Sequence, residues 1–185
     1  MTATEIPGYI IGNWVIDPVH SEIGFSVRHL MVSKVHGKFT SVEGSITTAE
    51  NPLDSAVSVV IDLASITTHN EQRDAHLRSA DFFNVDVDPK MTFGSTGVRR
   101  TGESTFIVDG DLTIRGVTRP VSLDVEVNGF GPDPYGGTRA GFSATGEINR
   151  HDFGVSWNAA VEGGGVVVGD KVRILLELEA VLDAQ

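Results

Sequence analysis

Apolar and polar side chains alternate along most of the chain. From Phe106 to Ile114, and again from Val121 to Val127, every second residue is apolar or glycine, and most of the residues between are polar or charged. Successive side chains of a β-strand point to opposite faces, so each such segment has one apolar and one polar face. One-sided strands are typical of antiparallel sheets rather than of buried parallel sheets.

Turn residues separate most of these segments, and one stretch between them breaks the alternation. Thr68–Glu71 fits a capping box, and residues 71–79 are then predicted to form a short helix with Asp74 and Arg78 paired. Residues 150–157 are predicted to be a second irregular or helical piece. We predict eight strands, at residues 14–29, 37–48, 56–63, 90–100, 104–115, 118–130, 138–149 and 170–182.

Eight one-sided strands leave exposed edges unless the sheet closes on itself. We therefore predict an all-β, eight-stranded antiparallel barrel with one short helix packed outside it. A barrel of this size is either just filled by its side chains or holds one small ligand. Small residues on the apolar rows indicate either spare room inside or bends and bulges of the strands, and both interpretations stay open for Gly110, Ala140, Ala144, Gly146 and Ala180.

Charge and composition exclude several classes of function. The chain has 25 acidic and 14 basic side chains, a formal net charge of −11 and no cysteine. Disulfide scaffolds and cysteine-ligated zinc or iron–sulfur sites are therefore excluded, a nucleic-acid partner is disfavoured, and an anionic membrane would repel the chain as a whole. No apolar run approaches the roughly 18 residues of a membrane span. Residues 1–27 contain no Lys or Arg, and we expect a cytoplasmic protein without a secretory signal.

The polar motifs favour binding over catalysis. No histidine pair has a spacing that places two imidazoles on one metal from one element, so we predict no metal and no cofactor. Gly141–Gly146 has one residue too many for a nucleophile elbow. Thus we predict that the protein is not an enzyme. The histidines considered are His20, His29, His36, His69, His76 and His151.

Two polar clusters allow both a functional and a structural interpretation. Asn149, Arg150 and Asp152 could hold a ligand head group at the barrel mouth. Alternatively, Arg150 and Asp152 satisfy backbone groups at a corner whose core Phe153 and Trp157 fill, and we favour this corner. In the second cluster Arg73, Asp74 and His76 either gate an entrance or tie the helix to the barrel wall, and we favour the tie.

Six local strings, in this order, resemble the YceI-like family of lipocalin-like polyisoprenoid-binding proteins. The resemblance covers about residues 14–182 and implies an extended eight-stranded lipocalin-like barrel that encloses an elongated apolar pocket. It also implies a long lipophilic ligand and a homodimer. Many family members are periplasmic, in contrast to the cytoplasmic location expected here. The strings are Trp14–Leu30, Val35–Phe39, Ser65–Asn70, Arg73–Phe83, Gly110–Thr118 and Asn149–Gly154.

We therefore predict a domain at residues 14–183, after an extension at 1–13, that binds, stores or transports a polyisoprenoid, isoprenoid quinone or similar lipid without catalysis. The alternatives are a lipid-modifying isomerase or cyclase on the same barrel, and a stress-response interaction module with a filled core. The predicted head-group or mouth residues are His20, Arg28, His29, Asn149, Arg150 and Asp152. The predicted pocket lining is Phe25, Val27, Phe39, Val59, Ile61, Phe93, Phe106, Val108, Leu112, Leu123, Val125, Phe142, Ala144, Ile148, Trp157, Ile174 and Leu176.

Overall fold

The computed structural model describes residues 6–184, which form eleven strands and one α-helix. The helix, α1, spans Glu71–Arg78, and short 3-10 turns lie at Pro52–Asp54, Leu63–Ser65 and Arg150–Phe153. The strands are β1 (Gly12–Ile16), β2 (Glu22–His29), β3 (Ser33–Phe39), β4 (Val42–Thr48), β5 (Ala56–Asp62), β6 (Ile66–Thr67), β7 (Lys90–Arg100), β8 (Thr105–Ile114), β9 (Val117–Pro132), β10 (Thr138–Asn149) and β11 (Val168–Leu182).

The sheet closes into the predicted antiparallel barrel. Eight strands pair in the ring order β1-β4-β5-β7-β8-β9-β10-β11, and β11 returns to β1 with Trp14 opposite Leu182. The hairpin of β2 and β3 continues the wall at one end, because β2 pairs with the first part of β11 and β3 pairs with β6. The alternation along β8, β9 and β11 points the apolar rows inward as predicted.

Two of the predicted strands are each divided in two. Residues 14–29 become β1 and β2, because Pro18 has no N–H for the ladder and Asp17 accepts a hydrogen bond from the Val19 N–H (2.9 Å). Residues 37–48 belong to β3 and β4, and the backbone N–H groups of Thr40 and Ser41 donate to the Ser65 hydroxyl. These breaks let the wall bend without leaving donors unsatisfied.

The helix forms where predicted, but its side-chain contacts differ from the prediction. Asn70 is the N-cap residue, and its side chain accepts from the Arg73 N–H (2.9 Å). The predicted pair of Asp74 and Arg78 is wrong: Asp74 is buried and accepts from the Thr68 N–H, whereas Arg78 donates to carbonyls of the barrel wall. No helix between residues 6 and 184 has the length and apolar character to cross a membrane.

Only one of the five small residues on the apolar rows borders open space. A Cβ on Gly110 would meet the Phe93 ring at 2.3 Å, and one on Gly146 would meet Leu123 at 2.7 Å, so neighbouring side chains already fill both places. Ala140 and Ala180 pair with each other and are fully buried. Ala144 alone lines a cavity. The strand bulges lie elsewhere, for example between Ser95 and Gly97.

The N-terminal segment packs against one end of the barrel. Trp14 is fully buried, its indole N–H donates to the Thr48 hydroxyl (2.9 Å), and its ring lies 5.5 Å from that of Phe130. Ile6 is 4% exposed, and the Tyr9 hydroxyl donates to the Ala49 carbonyl. Of the predicted extension at 1–13, residues 1–5 lie outside the described part of the chain, and the remainder contributes to this end of the barrel.

Candidate functional site

The barrel encloses two neighbouring cavities. The larger has a volume of about 340 Å³ and lies at the end formed by α1 and the β2–β3 hairpin. The smaller, of about 140 Å³, lies towards the end where Tyr9 and Pro52 pack. Inward-facing side chains such as Val121 and Val125 are only half-buried, because they face this open space. The interior is thus not filled by its own side chains.

Five apolar side chains border both cavities and lie where the two meet. Val59 and Phe93 are directly opposite each other on β5 and β7, and Phe93 rests against Gly110. We call these five residues the waist: Val59, Phe93, Leu123, Leu176 and Leu178. No polar side chain belongs to the waist. An apolar chain could therefore cross it without removing a polar group of the protein from water.

Every predicted lining residue lies on a cavity wall. Eight border the larger cavity alone, which also carries an aromatic cluster in which the rings of Phe39 and Phe83 are 5.9 Å apart. The larger cavity is lined by Phe25, Val27, Phe39, Ile61, Leu112, Ile148, Trp157 and Ile174, the smaller by Phe106, Val108, Val125, Phe142 and Ala144, and both by Val59, Phe93, Leu123 and Leu176.

The six predicted mouth residues are dispersed. Arg28, His29 and Arg150 border the larger cavity. His20 lies on the outer wall, where its Nδ1 is 2.8 Å from Asp17, and it borders neither cavity. Asn149 caps the 3-10 turn by accepting from the His151 N–H, and Asp152 is exposed on that turn; neither borders a cavity.

Arg150 is buried beside the larger cavity, and the backbone occupies its donors. Its guanidinium donates to the carbonyls of Val155 (2.8 Å), Trp157 (2.8 Å), Gly169 (2.9 Å) and Val168 (3.3 Å). Burial lowers the pKa of Arg150, and the nearby charge of Asp170 acts in the opposite direction. This geometry agrees with the corner interpretation for Arg150, because four of its five N–H groups donate to the backbone.

Apart from Arg28 and His29, the other polar side chains on the walls are also held within the protein. Arg73 donates to the Thr68 hydroxyl and carbonyl, and His76 Nε2 lies 2.8 Å from Asp81. Beside the smaller cavity, burial raises the pKa of the Tyr9 hydroxyl, which donates to the Ala49 carbonyl (2.8 Å). Within residues 6–184 no buried side-chain nitrogen or oxygen lacks a partner. The walls thus offer an apolar surface rather than fixed polar anchors.

Several wall residues escaped the sequence-based prediction. Phe82, Phe83 and Leu77 reach the larger cavity from α1 and the segment after it, and Phe130 reaches the smaller one from the end of β9. His76 also lines the larger cavity, with its ring centroid 4.7 Å from that of Trp157. These side chains come from segments that lack period-two alternation or lie at a bulge, so no inward face could be assigned to them.

One acidic cluster has the geometry of a cation site but already contains a cation. Ligand atoms of Asp17, His20 and Glu179 lie within 4.8 Å of one another. Arg139 Nη1 bonds to Asp17 (2.8 Å) and Glu179 (2.6 Å), and its Nε bonds to Asp133 (3.0 Å). One guanidinium thus bonds to three carboxylates and offsets part of their charge, and the cluster fastens the outer wall.

The Arg139 cluster predicts a loss of stability in acid. Hydrogen bonds from Arg139, and then from His20, hold the pKa of Asp17 far below its ordinary value. A carboxyl whose pKa is lower in the folded state stabilises the fold above its unfolded pKa of about 4, and this contribution is lost as the pH falls below that. We expect Asp17→Asn to be less stable than the wild type at neutral pH, with a difference that narrows in acid.

Urea denaturation at neutral pH and below about pH 4 measures this effect. Asp86→Asn is the matched control, because Asp86 is exposed and has no hydrogen bond or ion pair within the described chain. A stability difference for Asp17→Asn that stays constant across the pH range would contradict the assignment.

The comparisons with known proteins agree with this barrel. The YceI-like domain family matches residues 14–180. The chain belongs to the YceI-like family. A UPF0312 protein of Photorhabdus laumondii is 47% identical over 135 residues, which are 72% of this chain and 70% of that protein.

Solved structures show the same YceI-like fold. BcnA of Burkholderia cenocepacia superposes with a TM-score of 0.78 at 22% identity and covers 89% of this chain and 98% of its own. A polyisoprenoid-binding domain of Saccharophagus degradans, implicated in plant cell wall breakdown, has a TM-score of 0.69 at 16% identity, over 94% of this chain and 100% of its own. At these identities the likeness of the structures concerns the YceI-like fold alone.

Proposed function

We propose that the protein binds one long lipophilic molecule, a polyisoprenoid or isoprenoid quinone, across both cavities and stores or transports it without covalent chemistry. The observation that carries this proposal is the waist, where five apolar side chains belong to both cavity walls. A ligand that occupies both cavities must be long and apolar where it crosses the waist. Membership of the YceI-like family and the fold shared with a polyisoprenoid-binding domain support the same class of ligand.

The expected selectivity follows from the scarcity of unoccupied polar groups on the walls. Each buried methylene contributes about 0.8 kcal/mol, so a chain of fifteen carbons yields a gross ~12 kcal/mol. Ordering the chain and losing its translational freedom oppose this gain. Since apolar burial has no directional preference, we expect the protein to select ligands by length and shape more than by head group.

The proposal is tested on protein purified from its own host. Native mass spectrometry and organic extraction are expected to show a co-purifying lipid in stoichiometric amount. Delipidated protein is then titrated with prenyl quinones of increasing chain length. The affinity is expected to rise with each isoprene unit until both cavities are filled and then to level off. Absence of a co-purifying lipid together with no binding of any prenyl quinone would contradict the proposal.

The enzymatic alternative needs two titratable groups within hydrogen-bond reach at a cavity. His76 borders the larger cavity, and its Nε2 lies 2.8 Å from Asp81, which borders neither cavity. A carboxylate in this position orients an imidazole as a general base. The His76→Gln variant separates the two functions. Binding is favoured over catalysis if this variant keeps full ligand affinity and if the lipid recovered from it is chemically the same as the lipid recovered from the wild type.

Other predictions remain open to direct measurement. The interaction module with a filled core requires side chains in the space that the two cavities occupy, so we do not pursue it. The cytoplasmic location stays a prediction, which cell fractionation tests. The homodimer also stays a prediction, and light scattering tests it.

A further inference from the structure

The turn between β2 and β3 exposes three consecutive large apolar side chains. Leu30, Met31 and Val32 are 41%, 52% and 83% exposed. Single exposed apolar residues are common on protein surfaces, but a contiguous group marks a contact surface. We call these three residues the tip.

The backbone holds the tip in one conformation. The Val32 N–H donates to the His29 carbonyl (3.2 Å), and the Leu30 N–H donates to the Val167 carbonyl (2.9 Å). Leu30 and Met31 both have positive φ angles, 51° and 61°, in a turn that normally selects Asn and Gly. Large apolar side chains therefore stand where local backbone preference disfavours them, and they do not contribute to the core.

The hairpin that carries the tip is basic in an acidic protein. Residues 22–39 contain Arg28, Lys34 and Lys38 and one acidic residue, Glu22 at the start of β2, whereas the chain has a net charge of −11. Arg28 and Lys34 are directly opposite each other, a like-charge pair that destabilises a sheet. Among residues 6–184 neither forms an ion pair, and Asp170 on the neighbouring β11 is bonded to His151. An external anionic surface would relieve this repulsion.

The tip adjoins the larger cavity. Arg28 and His29, immediately before the tip, border this cavity, as do Val167 and Val168, whose backbone holds Leu30 and pairs with His29. A surface that contacts the tip would therefore lie beside the cavity wall. Apolar side chains next to unpaired cations match the two layers of an anionic bilayer, the acyl boundary and the phosphate head groups.

We propose that the tip, with Arg28 and Lys34 behind it, docks the barrel onto an anionic phospholipid bilayer with the larger cavity adjacent to the lipid. The net charge of −11 does not prevent this, because charges beyond a Debye length of about 8 Å are largely screened. It disfavours adsorption through other faces and so makes the orientation specific. This inference rests on the proposed lipid-carrier function, which gives the protein a reason to dock. The test, however, measures membrane binding alone.

The test is co-sedimentation of the full chain with vesicles of phosphatidylcholine and phosphatidylglycerol in equal parts, and of phosphatidylcholine alone. We expect binding to the mixed vesicles that weakens as salt is added. Val32→Asp and Lys34→Glu are each expected to lower it about tenfold, since each adds negative charge at the surface and the first also removes an apolar contact. Neither residue lines a cavity, so prenyl-quinone affinity in solution should not change.

Matched controls lie away from the tip. Val19→Asp places the same charge at a side chain that is 82% exposed, on the outer wall, and should bind vesicles like the wild type. Arg99→Glu repeats the charge change of the lysine variant on β7, near the smaller cavity; because it also breaks the ion pair of Arg99 with Asp109 (2.9 Å), circular dichroism must show that this variant is folded. Equal losses in a control and its tip variant would overturn the proposal, as would absence of wild-type binding at low salt.

Two further outcomes also decide the matter. One outcome is that the wild type does not co-sediment with vesicles and that light scattering shows Val32→Asp to convert a dimer into a monomer. In that case the tip is a contact between copies of the chain, and membrane docking is wrong. If the wild type binds mixed vesicles through the tip but no lipid co-purifies and no prenyl quinone binds, docking stands and the carrier function fails.

Discussion

Val59→Trp is expected to weaken the binding of a long prenyl quinone at least about 100-fold. The larger indole would occupy the waist, and excluding three or four methylenes there forfeits about 3 kcal/mol. Val59 lies opposite Phe93 on the neighbouring strand, and Leu123 limits the space on another side. A chain that must cross the waist has no alternative route between the two cavities.

Val60→Trp is the matched control. Val60 follows Val59 on β5, borders neither cavity and is 38% exposed. It should bind like the wild type. Isothermal titration measures both affinities, and circular dichroism checks that the overpacking cost of about 1–3 kcal/mol leaves the barrel folded. Equal affinities for the two variants would show that the ligand does not cross the waist.

Two related variants locate the ligand further. Leu112 lines only the larger cavity and Ala144 only the smaller one. If both cavities are used, Leu112→Trp and Ala144→Trp should each weaken binding of a long chain, whereas a short chain should respond to only one of them. A short chain thereby identifies the cavity with the higher intrinsic affinity.

Arg150→Met is expected to lower the free energy of unfolding by about 3–5 kcal/mol, because four carbonyls lose a charged donor at a buried position. Two of the carbonyls, those of Val155 and Trp157, precede the 158–167 segment, and those of Val168 and Gly169 follow it. The side chain therefore fastens both ends of this segment to the start of β11. Its replacement should loosen the wall beside the larger cavity as well as destabilise the barrel.

Urea denaturation compares this variant with Arg119→Met. Arg119 is exposed and donates only to the adjacent Thr118 carbonyl (3.0 Å), so its loss should cost little. Arg150→Lys keeps the charge but has one nitrogen in place of the planar fork, and should recover only part of the loss. If Arg150→Met were as stable as Arg119→Met, the corner interpretation would be wrong.

The barrel and its lining could be predicted because both depend on period-two alternation. Once Phe106 and Val108 are assigned to one face of a strand and closure is assumed, their inward direction follows from geometry. The closed sheet and the short helix are confirmed. The same rule does not predict which inward residues leave space: for Gly110 and Gly146 both a gap and a bend were open, and the structure shows that Phe93 and Leu123 fill these places from neighbouring strands.

What could not be predicted depends on contacts distant in sequence. The division of the interior at the waist requires the register of β5 against β7, which is set across the loop that holds α1. Asp74 was expected to bond to Arg78 within the helix, but the N–H of Thr68, outside the helix, binds it instead. Likewise His20 was predicted to lie at the mouth, although the break at Pro18 places it on the outer wall, where its Nδ1 is 2.8 Å from Asp17.

The closure of the ring by β11 has a consequence for how the protein is made. Trp14 on β1 pairs with Leu182 on β11. The ribosome must therefore synthesise ten strands before β11, the second partner of β1, is available to close the ring. Contacts of such long range slow folding, and until β11 emerges the apolar rows face water or another nascent chain. The unfinished sheet is therefore more prone to aggregation than the closed barrel. A lipid present at that moment could occupy the interior before the wall is complete.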